Sequence, residues 1–217
     1  MAKIVVDEGH YNCESGAVGF GARECDITHS MANRLKIDLE RQGHQVLITN
    51  GSLSKRVQDA NNFKADIFIS LHCNAFNSKA YGIETYCYKL AYRKLADAIH
   101  GELLKNTNLY RNNRGVKEGN FQVIRETNMD ACLIELAFID NREDNLLLRT
   151  YQDEYSVAIT KGVQSYFGLD YVESKVVNIY EMKVNGNYYG QTTYDDIAVA
   201  VEKELKNGVK EIVLIKK

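Results

Sequence analysis

The sequence of 217 residues lacks the features that mark several classes of protein. It has no proline, no internal repeat, no low-complexity segment and no run near the ~18 apolar residues of a membrane span. Its formal net charge is −2 at pH 7, and neither the first 174 residues nor the rest carries the basic excess of proteins that bind nucleic acid or anionic membranes. We therefore predict no nucleic-acid partner and no membrane span.

Cysteine is sparse, and its pattern is not that of a disulfide-stabilised protein. The five cysteines are odd in number and include no Cys-x-x-Cys pair, which argues against a disulfide framework. The segment after Met1 also has no apolar region of signal-peptide length. We expect a chain that is synthesised in the cytoplasm without an export signal of its own.

The residues that are present indicate a soluble α/β domain over 1–170. Hydrophobic residues make up 45% and charged residues 26%, as in ordinary globular proteins. Apolar runs alternate with helical patterns, which predicts a mostly parallel sheet of about six strands with helices on both faces. The predicted strands are 3–7, 45–49, 66–69, 82–88, 121–124 and 131–138, and residues 106–120 are predicted to form a loop. Five helices are expected, one of them capped by Asn141.

A linker at 169–175 is predicted to lead into a small second domain at 176–217. Its pattern is ββαβ, an α+β unit in which Asn185-Gly186 forms a type I′ hairpin turn and Asp195 caps the helix. A core of about 40 residues is marginal by itself. We therefore expect this domain to dock on the first one or to self-associate. Self-association would make the protein a homo-oligomer.

Polar, chemically active side chains follow three of the predicted strands. His10 comes after the first strand, His72 ends the strand that begins at residue 66, and Glu135 lies in the strand at 131–138. Because ligands collect at the carboxyl edge of parallel strands, we expect one site there. Glu24, just before the helix that begins near Ile27, could reach the same place.

Two imidazoles and two carboxylates are the parts that a zinc hydrolase needs. A catalytic zinc has three protein ligands and leaves one position for water, and a further carboxylate moves the proton. The residues alone leave Glu8, Glu14 and Asp26 as alternatives to Glu24 as the ligand, and Cys13 and Cys25 could also bind metal. His29, His44 and His100 are predicted to be surface or capping residues.

Six motifs make the chain recognisable over about residues 3–168. They are Val-Val-Asp-Glu-Gly-His at 5–10, Arg-Glu at 23–24, Phe-Ile-Ser-Leu-His-Cys-Asn-Ala at 68–75, Arg-Gly-Val-Lys at 114–117, Val-Ile-Arg-Glu-Thr at 123–127 and Leu-Ile-Glu-Leu-Ala-Phe-Ile-Asp-Asn at 133–141. In order and spacing the chain resembles the zinc-dependent N-acetylmuramoyl-L-alanine amidases. The resemblance implies that His10, Glu24 and His72 bind Zn²⁺, that Glu135 is catalytic, and that an open groove admits peptidoglycan.

Two further residues are candidates for contact with substrate. Asn74 lies two positions beyond His72 and so on the same strand face, although it could equally be a turn residue. Arg125 could pair with a carboxylate of the stem peptide or simply form a surface ion pair.

The predicted function is hydrolysis of the amide between N-acetylmuramic acid and L-alanine. With no signal peptide expected, the enzyme would reach the wall after release, as a phage endolysin or an autolysin freed at lysis. The 176–217 domain would then bind the wall or make an oligomer, and its tyrosines Tyr180, Tyr188, Tyr189 and Tyr194 offer faces for sugar stacking. The alternatives are a non-catalytic wall-binding protein and a zinc peptidase that cuts within the stem.

Overall fold

The computed structural model describes residues 1–11, 14–109 and 111–173, together with three strands at 179–184, 187–193 and 212–216. The chain divides into two compact units, Met1–Val172 and Glu173–Lys217. Of the helices described, none combines the length and apolar character that crossing a membrane requires.

Six strands of the first unit form its main sheet. They are β1 (Lys3–Glu8), β4 (Gln45–Thr49), β5 (Ile67–Asn74), β6 (Ile83–Cys87), β7 (Asn113–Glu118) and β8 (Asp130–Phe138), and β2 (Val18–Gly19) pairs with β3 (Ala22–Arg23) in a separate hairpin. The order across the sheet is β4-β1-β5-β8-β6-β7. Every pair is parallel except β6 with β8, so the predicted mostly parallel sheet is confirmed.

Six helices and a short 3₁₀ turn at Leu90–Tyr92 connect these strands. The helices are α1 (Glu24–Arg41), α2 (Leu53–Phe63), α3 (Lys94–Lys105), α4 (Gln122–Arg125), α5 (Arg142–Thr150) and α6 (Gln152–Phe167). The predicted cap is confirmed, because the Asn141 side chain accepts hydrogen bonds from the backbone N–H groups of Glu143 and Asp144. Gly43 follows α1 with φ +86°, a conformation that glycine adopts without strain.

Hydrophobic cores on both faces of the sheet fix the positions of the strands. On one face α1, α3, α5 and α6 pack against the sheet, with fully buried residues such as Met31, Ile99 and Ile159. On the other face a smaller core joins Val5 and Phe68 to α2 and α4. The larger core makes the sheet a rigid support, while the smaller one leaves room for polar side chains on the second face.

Two predicted elements are wrong. Residues 121–124 form the single turn of α4 instead of a strand, because one helical turn suffices to bury Val123 and Ile124 against the second face. Residues 113–118, predicted as loop, form β7. This strand lies at the edge of the sheet and is only partly buried, so its sequence has little of the apolar character by which strands are recognised, with Val116 its one apolar residue.

Two predicted surface histidines are in fact buried. His44 bonds the side chain of Gln164, and His100 lies between Thr85 and Asn113. Their positions, His100 within a helix and His44 after one, gave no sign of this, because in each case the partner comes from a distant or differently assigned part of the chain.

The described strands of the second unit form an antiparallel sheet. Its strands are β9 (Ile179–Val184), β10 (Asn187–Thr193) and β11 (Ile212–Lys216), in the order β10-β9-β11. The predicted Asn185-Gly186 turn and the helix from Asp195 lie outside the described residues.

Candidate metal centre and active site

His10 is placed by the end of β1. The backbone N–H of Gly9 donates to Leu71 O at 3.0 Å, which ties the residue before His10 to the neighbouring strand. This approach is so close that a Cβ on Gly9 would stand 2.2 Å from Leu71 O and 2.7 Å from the His72 ring. His10 itself has φ +59°, an uncommon conformation for a residue with a side chain.

Glu24 is the first residue of α1 and is held from both sides. Its Oε2 accepts the backbone N–H of Ala17 at 2.8 Å, and its Oε1 accepts that of Cys73 at 2.9 Å. The side chain is 4% exposed. One donor comes from the loop before the hairpin and the other from β5, so Glu24 lies between the two segments that carry the histidines.

His10, Glu24 and His72 form what we call the ligand cluster. His72 Nδ1 lies 2.8 Å from Glu24 Oε1, and His10 Nε2 lies 3.3 Å from Glu24 Oε2. The two imidazole rings are 5.2 Å apart between centroids and nearly perpendicular. One ligand atom from each residue lies within 4.8 Å of the others, a group of the size that holds a metal ion.

The charges of the ligand cluster favour a cation among its members. Burial alone would raise the pKa of Glu24, but hydrogen bonds from His72, Cys73 and Ala17 outweigh it and hold the pKa below its usual value. Burial alone would lower the pKa of His72, yet the hydrogen bond to Glu24 and the charge of Glu135 raise it. An anionic Glu24 beside two imidazoles is the donor set that zinc takes in catalytic sites.

Glu135 lies on β8 directly beside His72 on β5 in the pairing register. Among the described residues its Oε2 is buried without a hydrogen-bond partner. Burial raises the pKa of Glu135 to about 7, with His72 opposing the shift and Glu24 and Glu84 adding to it. A buried carboxylate atom with no partner usually points to a bound group or water, so the residues present fit a metal and its water.

The alternative ligands have other partners or positions. Glu8 faces His29, whose Nδ1 lies 3.2 Å away, and Asp26 pairs with Arg23. Glu14 lines a cavity of about 280 Å³ beside His10 and His72, but it is not part of the ligand cluster.

Of the two cysteines considered as alternative ligands, Cys25 is not part of the ligand cluster. Cys25 is buried, with its Sγ 3.8 Å from an Asp26 carboxylate oxygen. Cys13 lies outside the described residues.

The two candidate substrate residues differ in position. Asn74 donates from Nδ2 to Glu84 Oε1 at 2.6 Å, next to Glu135 in the sheet. Arg125 instead pairs with Glu126, bonds Asn120 and lines a separate cavity beside the first residues of β8. The structure thus brings Asn74 into the polar surroundings of Glu135 but gives Arg125 a surface ion pair.

Sequence reasoning missed a row of polar residues that extends the site across the sheet. In the pairing register Glu135 lies between His72 on β5 and Glu84 on β6, and Glu84 binds Arg114 and Lys117 of β7. We call these five residues the polar row. A glutamate inside the apolar run at 82–88 was the available signal, and the predicted loop at 106–120 concealed its partners.

A second missed group supports the end of β1. The buried guanidinium of Arg56 bonds Asp7 Oδ1 at 2.6 Å and Gly51 O at 2.8 Å, and it also bonds Glu8 O. Ser70 donates to the other oxygen of Asp7 at 2.7 Å. These contacts fix the strand ends from which His10 and His72 extend.

Comparison with known proteins assigns the chain to a family. The sequence model of the N-acetylmuramoyl-L-alanine amidases matches residues 4–165. The chain belongs to this family. Among its relatives is the amidase LytC of Bacillus subtilis, 35% identical over 177 residues that make up 76% of this chain and 35% of LytC. The chain thus spans about a third of the length of that relative.

Solved structures of similar proteins share the fold. The catalytic domain of the amidase CwlV from Bacillus (Paenibacillus) polymyxa var. colistinus superposes with a TM-score of 0.73 at 31% identity, covering 78% of this chain and all of that one. The catalytic domain of an endolysin that targets Clostridium difficile gives a TM-score of 0.68 at 25% identity, covering 76% of this chain and 98% of that one.

Proposed function

We propose that the chain hydrolyses the amide bond between N-acetylmuramic acid and L-alanine of peptidoglycan, with His10, Glu24 and His72 holding a zinc ion and Glu135 transferring the proton. One observation carries the proposal: a His–Glu–His cluster lies beside a buried carboxylate whose Oε2 has no partner among the described residues. Membership of the amidase family supports the choice of bond.

The residues of the site have distinct roles in the reaction. Zinc, when bound, would lower the pKa of a water molecule and polarise the amide carbonyl. Glu135 Oε2 accepts the proton of the attacking water as oxygen bonds to the carbonyl carbon, and it then donates that proton to the nitrogen as the C–N bond breaks. The backbone donors of Ala17 and Cys73 keep Glu24 in place throughout.

The position of the site suits a polymeric substrate. The main helix contacts on the second face of the sheet come from α2 and α4, near β4, β1 and β8. The polar row crosses β5, β8, β6 and β7, and three of its side chains stay partly exposed: 21% at His72, 31% at Arg114 and 39% at Lys117. A glycan strand with its stem peptide can therefore lie along the surface.

The test is clearing of purified cell walls together with analysis of the new chain ends. The zinc-loaded protein should clear walls and expose L-alanine amino termini detectable by mass spectrometry. Glu135→Gln should bind zinc with unchanged stoichiometry but lose about 10³-fold or more in turnover. Glu126→Gln, which alters an exposed carboxylate on α4's C-cap, is the matched control and should retain full activity.

Three outcomes would contradict the proposal in different ways. Full clearing in strong chelator would remove the zinc assignment. Full activity of Glu135→Gln would remove the proton-transfer role. New amino termini other than L-alanine would indicate a zinc peptidase, whereas wall binding without any cleavage would indicate a non-catalytic binder.

We also propose that the enzyme acts on the wall after release at cell lysis, as a phage endolysin or an autolysin. Similarity to an endolysin catalytic domain supports this setting. The second unit is proposed to bind wall polymer, supported by tyrosines at positions 180, 188, 189 and 194. Self-association of that unit is the competing prediction, and the molecular mass of the full chain in solution distinguishes the two.

A further inference from the structure

The polar row continues beyond the catalytic carboxylate. Glu84 is the register partner of Glu135, so its backbone lies one strand further from the ligand cluster than that of Glu135. Neighbouring strands are about 4.8 Å apart. The next strand, β7, brings Arg114 and Lys117 to the same carboxylate. The order along the row is therefore metal ligand, proton-transfer group, buried carboxylate and two cations.

Glu84 fixes these cations instead of merely neutralising them. Its Oε2 accepts Arg114 Nε at 2.7 Å and Lys117 Nζ at 2.5 Å, while its Oε1 accepts Asn74 Nδ2 at 2.6 Å and Tyr86 OH at 2.9 Å. One buried carboxylate faces two cations, which leaves a surplus of one positive charge. Within the described residues the terminal amino groups of Arg114 have no hydrogen-bond partner.

The cations are accessible to a ligand. The Arg114 side chain is 31% exposed and stacks on the Phe138 ring, and that of Lys117 is 39% exposed. Partly buried cations already held in place bind an anion with less loss of side-chain entropy than free surface lysines do. A carboxylate is the anion that matches a guanidinium with free terminal amino groups.

We propose that Arg114 and Lys117 bind a carboxylate of the stem peptide on the amine side of the scissile bond. This inference rests on the proposed function. Glu135 donates to the leaving nitrogen, so the carbonyl side of the bond faces the ligand cluster and the peptide continues toward Glu84 and the two cations. Glu84 is a positioning residue for them.

The distance from the scissile bond to the two cations fits the second residue of the stem peptide. Where that residue is D-glutamate joined through its γ-carboxyl, a free α-carboxylate lies one residue beyond the cut, and one residue spans at most about 3.6 Å. Amidation of this carboxylate to D-isoglutamine removes the charge. The cations would therefore make the enzyme discriminate between walls with free and amidated stems.

The test compares two soluble substrates in which the γ-carboxyl is blocked as a methylamide, as it is blocked by the next residue in the stem. One is N-acetylmuramoyl-L-alanyl-D-glutamate γ-methylamide, with a free α-carboxylate, and the other is its α-amide, the D-isoglutamine form. The wild type should prefer the carboxylate form by about 10-fold or more in kcat/KM, the size expected for a charge-assisted hydrogen bond. Arg114→Gln and Lys117→Gln should each raise KM for the carboxylate form more than KM for the isoglutamine form, so that most of this preference is lost. Lys117→Arg should retain the preference, and the control Lys105→Gln, an exposed lysine on α3, should alter neither rate.

Equal rates of the wild type on the two substrates would overturn the inference. Equal losses on both substrates in the Arg114 and Lys117 variants would also overturn it, because the cations would then act only through Glu84 and Glu135. If neither substrate is cut, the proposed function fails separately, and calorimetry with L-alanyl-D-glutamate γ-methylamide decides the subsite. Weaker binding in both variants, but not in Lys105→Gln, supports the inference, and unchanged binding overturns it.

Discussion

One glycine beside the ligand cluster, Gly16, has no room for a side chain. Gly16 has φ +64°, and a Cβ there would stand 2.5 Å from Glu24 Oε2 and 2.6 Å from His10 Cδ2. The absence of a side chain at this glycine lets the two ligand groups approach each other across the loop. The proposed metal site therefore depends on a residue that has no ligand atom.

Gly16→Ala should weaken zinc binding by about 10-fold or more, the range seen when support for a metal ligand is disturbed. Because backbone donors hold the Glu24 carboxylate in place, the new methyl group would displace the His10 ring. Competition with a chromogenic chelator measures the dissociation constant. The control is Gly43→Ala, which has a similar backbone conformation, φ +86°, but meets nothing within 4 Å. Unchanged affinity in Gly16→Ala would show that the cluster adapts.

Arg56→Met should lower the free energy of unfolding by about 3–5 kcal/mol, because it leaves the buried Asp7 carboxylate without its cation. Urea denaturation of the zinc-loaded protein measures the loss. The double variant Asp7→Val, Arg56→Met removes both charges and should be more stable than the single variant. A double variant that is less stable than Arg56→Met would mean that Asp7 contributes mainly through Ser70.

At the scale of helices and strands, the elements that the sequence predicted correctly are those with a clear periodicity of apolar residues. The buried strands β1, β5 and β8 were found, as was α1, because their side chains face a core. The sequence-based prediction missed β7, whose stability comes from pairing with β6 at the edge of the sheet. It also missed α4, because two apolar residues are compatible with a strand and with a helix. Contacts with distant parts of the chain determine the structure of β7 and of α4, and the local sequence does not reveal these contacts.

The ligand cluster was predictable for a similar reason, and the polar row was not. His10 follows β1 and His72 lies near the end of β5, two buried strands whose parallel alignment is readable from the pattern. The partners of Glu84 come from β7, so they could not be placed while that segment was taken as loop. Family resemblance supplied the choice of Glu24 over its neighbouring carboxylates, which spacing alone left open.

His100 joins three of these elements and should make stability depend on pH. It lies on α3, accepts from the Thr85 hydroxyl of β6 and donates to the Asn113 side chain of β7. Burial lowers its pKa below 6.5, and the bond to Asn113 opposes this only in part. Below pH 6.5 the unfolded chain therefore binds a proton that the folded chain resists, so stability falls as the pH drops through this window.

We expect His100→Gln, which cannot titrate, to lose less stability than the wild type between pH 7.5 and pH 5.5. Denaturant unfolding of the metal-free forms of both proteins gives the comparison without the pH dependence of zinc binding. The other titrating groups are shared, so they cancel in the difference between the two proteins. Equal losses would mean that His100 is protonated as readily in the folded state as in the unfolded one.

For the whole molecule, the described ligand cluster and polar row lie within the first unit. Met1–Val172 contains the six-stranded sheet and both hydrophobic cores. The family model matches 4–165, and the catalytic domain of CwlV corresponds over its full length to 78% of this chain. The chemistry should therefore not need the second unit, which we propose brings the enzyme to its polymer.

A chain ending at Val172 should hydrolyse the soluble muramoyl dipeptide with kcat/KM within about 2-fold of the full chain, since it keeps the site and its cores. On insoluble walls at limiting protein concentration it should be slower by about 10-fold or more, because a second attachment raises the effective concentration of the catalytic unit at the polymer. Wall pull-down and turbidity loss measure the two effects, and the solution mass of the full chain tests self-association. Equal activity of the two chains on walls would assign the second unit a role other than wall binding.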